Sequence, residues 1–178
     1  MFHVTEHLLL RPGWAEDAPA LARAIGDERI VRNLARAPWP YGEDEAAAFL
    51  AQMDEAPLPV FLVTTRSNAR IVGAVGFAYA PSGEIELGYW IARDAWGRGY
   101  ATEAARAAIE IARTLGWSRL EAGHFVDNPA SGRVLEKLGF KATGRRALRH
   151  SCGRAGEVMS ELHSLDLADD AMEAPRAA

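Results

Sequence analysis

The hydrophobic period of the chain changes several times, and each change marks an element. Val4 to Leu10 predicts a first strand, stopped by Arg11-Pro12-Gly13. From Trp14 to Ile25, Ala18, Leu21, Ala22 and Ile25 recur at helical spacing. A second short helix is expected over Ile30 to Ala35, broken by Pro38-Trp39-Pro40-Tyr41-Gly42. Glu43 to Met53 is helical again, with Ala46, Phe49, Leu50 and Met53 on one face, and Pro57 and Pro59 end it.

The period then becomes that of strands. Val60 to Thr65, Ile71 to Tyr79 and Glu84 to Ala92 are joined by short turns, which predicts antiparallel neighbours. A helix from Gly99 to Leu115 follows, closed by Gly116. Arg119 to Val126 reads as a strand. Asn128 then caps a helix with Pro129 at its first position and Gly139 beyond its end. Lys141 to Leu148 and Glu157 to Leu167 read as a final antiparallel pair. A strand–helix–strand step after an antiparallel meander predicts an α/β protein with a mixed sheet and helices on its faces. One domain is expected over residues 1–167, followed by a flexible, Ala-rich and acidic tail over 168–178.

Composition narrows the function classes. The net charge of -4 argues against nucleic-acid or anionic-membrane binding, where a basic face is expected. The lone cysteine, Cys152, cannot form an internal disulfide and has no metal-ligand spacing around it, so no metal is expected. Met1 to Glu6 lacks the regions of a signal peptide, and no apolar run approaches the ~18 residues of a membrane span. A cytoplasmic protein is the expectation.

Candidate chemistry concentrates in Trp96-Gly97-Arg98-Gly99-Tyr100-Ala101-Thr102-Glu103, which follows a strand and opens a helix. Two glycines one residue apart allow a tight turn that presents N–H groups, and a helix N-terminus favours an anion beside them. Arg98 adds a cation. A dinucleotide fold would need a third glycine where Thr102 stands, and the lysine-bearing P-loop pattern is absent.

Glu86-Leu87-Gly88-Tyr89-Trp90-Ile91 followed by Trp96 to Ala104 resembles the GNAT superfamily of N-acetyltransferases, in the branch of the ribosomal-protein N-terminal acetyltransferases. Asn128-Pro129-Ala130-Ser131 with Val134 to Phe140 is similar to that branch's second motif. The resemblance covers roughly Leu8 to Leu167. It implies the acyl-CoA N-acyltransferase fold: a mostly antiparallel central sheet, helices on both faces and a splayed parallel strand pair. It implies acetyl-CoA as co-substrate, with the backbone of Ile91 and Ala92 along the pantetheine arm. The turn from Trp96 through Gly97, Arg98, Gly99, Tyr100 and Ala101 to Thr102 would hold the pyrophosphate, with Asn128 and Ser131 touching the cofactor. A homodimer is compatible with it. Two departures stand out: Trp96 occupies a position often held by Gln or Arg, and Leu135 one where many relatives carry an acidic tyrosine.

The acceptor would be a primary amine, on a protein N-terminus or a small molecule. A chain-terminal amine near pKa 7.7–8.0 is roughly a tenth neutral at pH 7, so one carboxylate suffices as base. Glu86 is the candidate base. Strand alternation sets Glu84, Glu86, Gly88 and Trp90 on one face and Ile85, Leu87, Tyr89 and Ile91 on the other, unless a bulge shifts the phase. Ser131 is the candidate acid for the leaving thiolate. Trp39, Tyr41 and Trp90 are candidate walls of the acceptor site. Two rival readings remain: a non-catalytic acyl-CoA sensor, and an aminoglycoside acetyltransferase for which Glu43, Asp44 and Glu45 would supply acidity.

Overall fold

The structure, a computed structural model, describes residues 1–167. The expected tail over 168–178 lies outside the described residues. The elements are β1 (His3–Val4), β2 (Leu8–Arg11), α1 (Ala18–Ile25), α2 (Glu28–Val31), α3 (Glu43–Glu55), β3 (Val60–Thr65), β4 (Ile71–Tyr79), β5 (Ile85–Ile91), α4 (Tyr100–Thr114), β6 (Arg119–Phe125), α5 (Pro129–Lys137), β7 (Lys141–Ser151) and β8 (Gly156–Asp166). The strands form one eight-stranded sheet in the order β1-β2-β3-β4-β5-β6-β8-β7. All neighbours are antiparallel except β5 and β6, which run parallel.

The expected meander is β3-β4-β5, and the final pair is β7-β8. The pattern did not show that β8 lies between β6 and β7. The N-terminus also differs from expectation. Val4 to Leu10 is not one strand; a polar turn at Thr5-Glu6-His7 splits it into two that pair with each other. The turn is held from across the fold. Glu103 accepts from the Thr5 hydroxyl at 2.5 Å and from the His7 N–H at 2.8 Å. Burial raises the Glu103 pKa, but the bonds from Thr5 and His7 outweigh it and hold the carboxyl below its usual range. The helix expected from Trp14 starts only at Ala18, after a 3₁₀ turn over Ala15–Asp17, and carries Pro19 in its first turn. The second helix is Glu28–Val31 and not Ile30 to Ala35, because the Asp27 side chain caps it by accepting from the Arg29 N–H.

Two apolar layers sandwich the sheet. On one face α4 lays Ala104, Ala105, Ala108 and Ala112 against β2–β5, every one of them fully buried. Side chains this small let the helix axis approach the strands closely. Leu115, just past the helix end, is 40% exposed, and Ile109 and Ile111 complete the buried face. On the other face α1 and α3 cover Leu62, Ile71 and Ala74. Strand β5 has no bulge: its ladder with β4 runs unbroken from Gly73/Ile91 to Tyr79/Ile85. Leu87 and Ile91 therefore pack on the α4 side and Trp90 on the α1–α3 side, as the alternation predicts.

Beneath α5, His124 and His163 lie 5.2 Å apart, ring to ring, and the buried Nδ1 of His163 has no hydrogen-bond partner. Burial, then the neighbouring His124, pushes the His163 pKa below 6.5. A histidine kept neutral by the fold takes up its proton preferentially when unfolded, so stability falls as pH drops through the unfolded value. The thermal midpoint should decline between about pH 7.5 and 5.5, and His163→Gln should flatten that decline in a calorimetric pH series.

Candidate active site

The parallel contact between β5 and β6 consists of one pair, Glu86 with Glu121. Beyond it the strands part, and a cleft of about 1480 Å³ is lined by both, by the starts of α4 and α5 and by the segment from α2 to α3. That exceeds the ~300–1,000 Å³ of a site for one drug-sized ligand and leaves room for two substrates.

The open edge of β5 has a defined pattern. The Ala92 N–H donates to Val72 O at 2.8 Å, so Val72/Ala92 is a hydrogen-bonded pair. Alternation then makes Gly73/Ile91 and Val75/Tyr89 non-bonded pairs, whose main-chain groups point away from β4 toward the gap. The Trp96 indole N–H occupies one of them, the Ile91 carbonyl, at 2.7 Å. Trp96 thus replaces one strand contact. Both main-chain groups of Ala92 already have partners, Val72 and Ala95.

At the end of this edge the chain turns through Gly97 (φ 76°) and Gly99 (φ 80°) into α4. No atom lies within 4 Å of where a Cβ would stand on either glycine. Positive φ demands glycine there, and the absent side chains leave an open cradle at a helix N-terminus whose first N–H groups have no intrahelical acceptor. Gly97, Gly99, Tyr100, Ala101, Thr102 and Trp96 all line the cleft. Arg98 is exposed and outside the lining.

On the opposite wall Asn128 caps α5, accepting from the Ser131 N–H. The Ser131 Oγ lies 2.9 Å from the Tyr89 hydroxyl, which also reaches the Ser131 carbonyl at 3.2 Å. Burial pushes the Tyr89 pKa up to about 12, with the Ser131 bond pulling the other way. Tyr89 therefore stays protonated over the ordinary pH range and remains a hydrogen-bond donor. Sequence reasoning placed Tyr89 on the apolar face and missed this pairing.

Glu86 lines the cleft as expected, but its carboxylate is not free: Arg149 Nη1 of β7 is ion-paired with its Oε1. The guanidinium lies over Gly123 of β6, where a Cβ would stand 3.3 Å from Nη1. Nothing in the sequence pointed to Arg149, which sits 63 residues from its partner. Tyr41 and Trp90 line the end of the cleft formed by the α2–α3 segment. Burial, then Glu45, pushes the Tyr41 pKa up to about 12. Trp39, expected beside them, is 43% exposed and is not part of the lining. The charges at this end do not form an acidic cleft. Arg29, Arg32, Arg36 and Arg149 line it with Glu45, Glu86 and Asp127.

The tip of the β7–β8 hairpin closes this end. Ser151 Oγ donates to Leu34 O at 3.0 Å, the Cys152 N–H to Ala35 O at 2.9 Å and Arg154 Nε to Arg32 O at 2.6 Å. Arg154 also pairs with Asp127 at 2.7 Å.

A family profile described as an acetyltransferase (GNAT) domain matches residues 7–141. The chain belongs to the GNAT acetyltransferase family. An uncharacterised N-acetyltransferase p20 of Bacillus licheniformis is 27% identical over 147 residues, covering 79% of this chain and 82% of the relative. Among solved structures, a GNAT-family acetyltransferase from Bacillus anthracis superposes with a TM-score of 0.81 at 21% identity, covering 94% of this chain and 99% of the other. A RimL alpha-N-protein acetyltransferase in complex with coenzyme A superposes at 0.76 and 17% identity, covering 93% and 98%. The mixed sheet with its parting parallel pair is thus the fold of this GNAT domain. Among the described residues, no helix is long and apolar enough to cross a membrane, and no cluster of His, Cys, Asp and Glu is arranged to hold a metal ion.

Arg154 ties the β7–β8 tip to the loop after α2 and to Asp127. Arg154→Ala should speed amide hydrogen exchange at Cys152 and Ala155, with little change in the β3–β4 strands, as read by exchange mass spectrometry.

Proposed function

We propose that this GNAT protein transfers an acetyl group from acetyl-coenzyme A to a primary amine by direct attack in a ternary complex. One observation carries the reading: a single cleft joins an unpaired strand edge and a glycine cradle at a helix start to a carboxylate on the far side. The Ile91 N–H and the main chain of Tyr89 suit the amides of a pantetheine arm, in the manner of an added strand. The cradle at Gly97 to Thr102 suits a pyrophosphate, because its space is open and its donors converge. When bound, acetyl-coenzyme A supplies the thioester.

The protein's own groups supply the proton traffic. Glu86 accepts a proton from the incoming ammonium, directly or through water, so that the nitrogen lone pair is free to attack. Before an acceptor arrives, Arg149 fixes the carboxylate in place. Ser131 donates a hydrogen bond toward the departing sulfur. Tyr89 donates to the Ser131 carbonyl and lies 2.9 Å from its Oγ, which holds that hydroxyl in place at the cleft.

Two measurements test this. Gly99→Asp puts a side chain and a negative charge at the cradle and should abolish acetyl-CoA binding in calorimetry; unchanged binding would remove the turn as the pyrophosphate site. Glu86→Gln keeps shape but not charge, and should lower kcat roughly 10²–10⁴-fold, most strongly below the pKa of the acceptor amine. Tight acetyl-CoA binding with no turnover on peptides, amino acids, polyamines or aminoglycosides would favour a sensor.

A further inference from the structure

The Glu86–Arg149 pair lies inside the acceptor end of the cleft, and both side chains are partly buried, at 19% and 22% exposure. Arg149 reaches this place from β7, over Gly123, where an added Cβ would stand 3.3 Å from Nη1 and crowd the guanidinium. As a stabilising device such a pair is poor, since removing two ions from water offsets most of their attraction and apolar packing does as well. Removing the charge of one partner alone is far worse, because the other is left buried and uncompensated. An occupant that engages Glu86 through an ammonium therefore needs to give Arg149 something in return.

The acceptor classes differ on this point. A peptide N-terminus or a polyamine brings a cation to Glu86 and no neighbouring anion. A free amino acid brings both, one carbon apart. Around the pair, Tyr41, Phe49, Trp90, Ile30 and Leu34 supply apolar surface for a side chain. Arg36, in the same lining, makes no ion pair among the described residues and adds positive charge. Arg29 and Arg32 are already paired with Asp27 and Asp127, so Arg149 and Arg36 are the arginines at this end that can meet a carboxylate.

We propose that the acceptor is a small zwitterion, an apolar α-amino acid or close analogue, whose ammonium takes over Glu86 and whose carboxylate takes over Arg149. One internal ion pair is thereby exchanged for two across the interface, each charge-assisted and hydrogen-bonded, and no charge is left buried alone. The proposal rests on the acetyl-transfer reading. In the reaction the amine nitrogen bonds to the acetyl carbon as the carbon–sulfur bond breaks. Of the two protons lost from the ammonium, one leaves through Glu86 to solvent and one balances the thiol of free coenzyme A. No further reactant is needed. Arg149 is here a specificity-determining residue, distinct from a group that only steadies Glu86.

The test is a thiol-release assay with acetyl-CoA and three matched series: leucine, methionine and phenylalanine as free acids, as their amides, and as the first residue of a tripeptide. Free acids should exceed amides and tripeptides in kcat/KM by at least about tenfold, mainly through KM. Arg149→Gln should lower kcat/KM for the free acids about 100-fold and erase their preference over the amides, and Arg149→Lys should restore part of it. Amides or peptides turned over as well as acids would overturn the proposal. So would an Arg149→Gln enzyme that loses both alike, or no turnover of any amino acid by a protein that binds acetyl-CoA. The acid-to-amide ratio of the unmutated protein decides the matter even if the variants fail to fold. A protein that binds no acetyl-CoA in calorimetry would instead sink the acetyl-transfer reading itself.

Discussion

The parallel contact between β5 and β6 ends after Glu86 and Glu121, and the site depends on that ending. Backbone N–H and C=O groups inside a fold require partners, so a sheet that opens in its middle must fill the opening or leave it for a ligand. Here the Trp96 indole fills one place, on the Ile91 carbonyl, and the rest of the edge faces a cleft. The opening lies next to the Gly97–Gly99 turn because that turn begins where β5 stops. A strand-like edge and an anion cradle are thus consecutive in sequence, and their order along the cleft follows from chain connectivity.

Helix α4 makes the cradle useful by being close and oriented. Its alanine face brings it down onto the sheet, and its N-terminus opens on the cleft. Its polar face has work of its own: Glu103 holds the Thr5–His7 turn and Glu110 pairs with His3 at 3.3 Å, binding the first strands to the helix. These charged side chains act as a tertiary clamp. The opposite wall follows the same logic, since Asn128 caps α5 and thereby sets Ser131 where the Tyr89 hydroxyl can reach it.

The end of the cleft around Glu86 and Arg149 is built from segments remote in sequence. The α2–α3 segment, the β7–β8 tip and the last residues of β5 and β6 meet there, stitched by Ser151, Cys152 and Arg154 to main-chain carbonyls. Carbonyl acceptors impose no side-chain requirement on the α2–α3 segment, so this docking leaves no residue pattern to read. The charge character of the site arises from the same convergence. Asp44 and Glu43 suggest an acidic wall when read locally, yet the arginines brought in from α2, its following loop and β7 outnumber the carboxylates that line the cleft.

The sequence by itself determined the elements that rest on local physics. Helical and strand periods, the Asn128 cap, the glycine turn and the alternation that set Glu86 opposite Leu87 are short-range facts, and they were enough to place the glycine turn and the capped helix that line the cleft and to suggest the GNAT family. Only the tertiary structure decided the rest. It placed β8 between β6 and β7, split the first strand at Thr5-Glu6-His7, left Trp39 outside the cleft, joined Tyr89 to Ser131 and set Arg149 against Glu86. Each of these depends on a contact between residues far apart along the chain. Periodicity carries no information about such contacts, because it records which face of an element is buried and not what is buried against it.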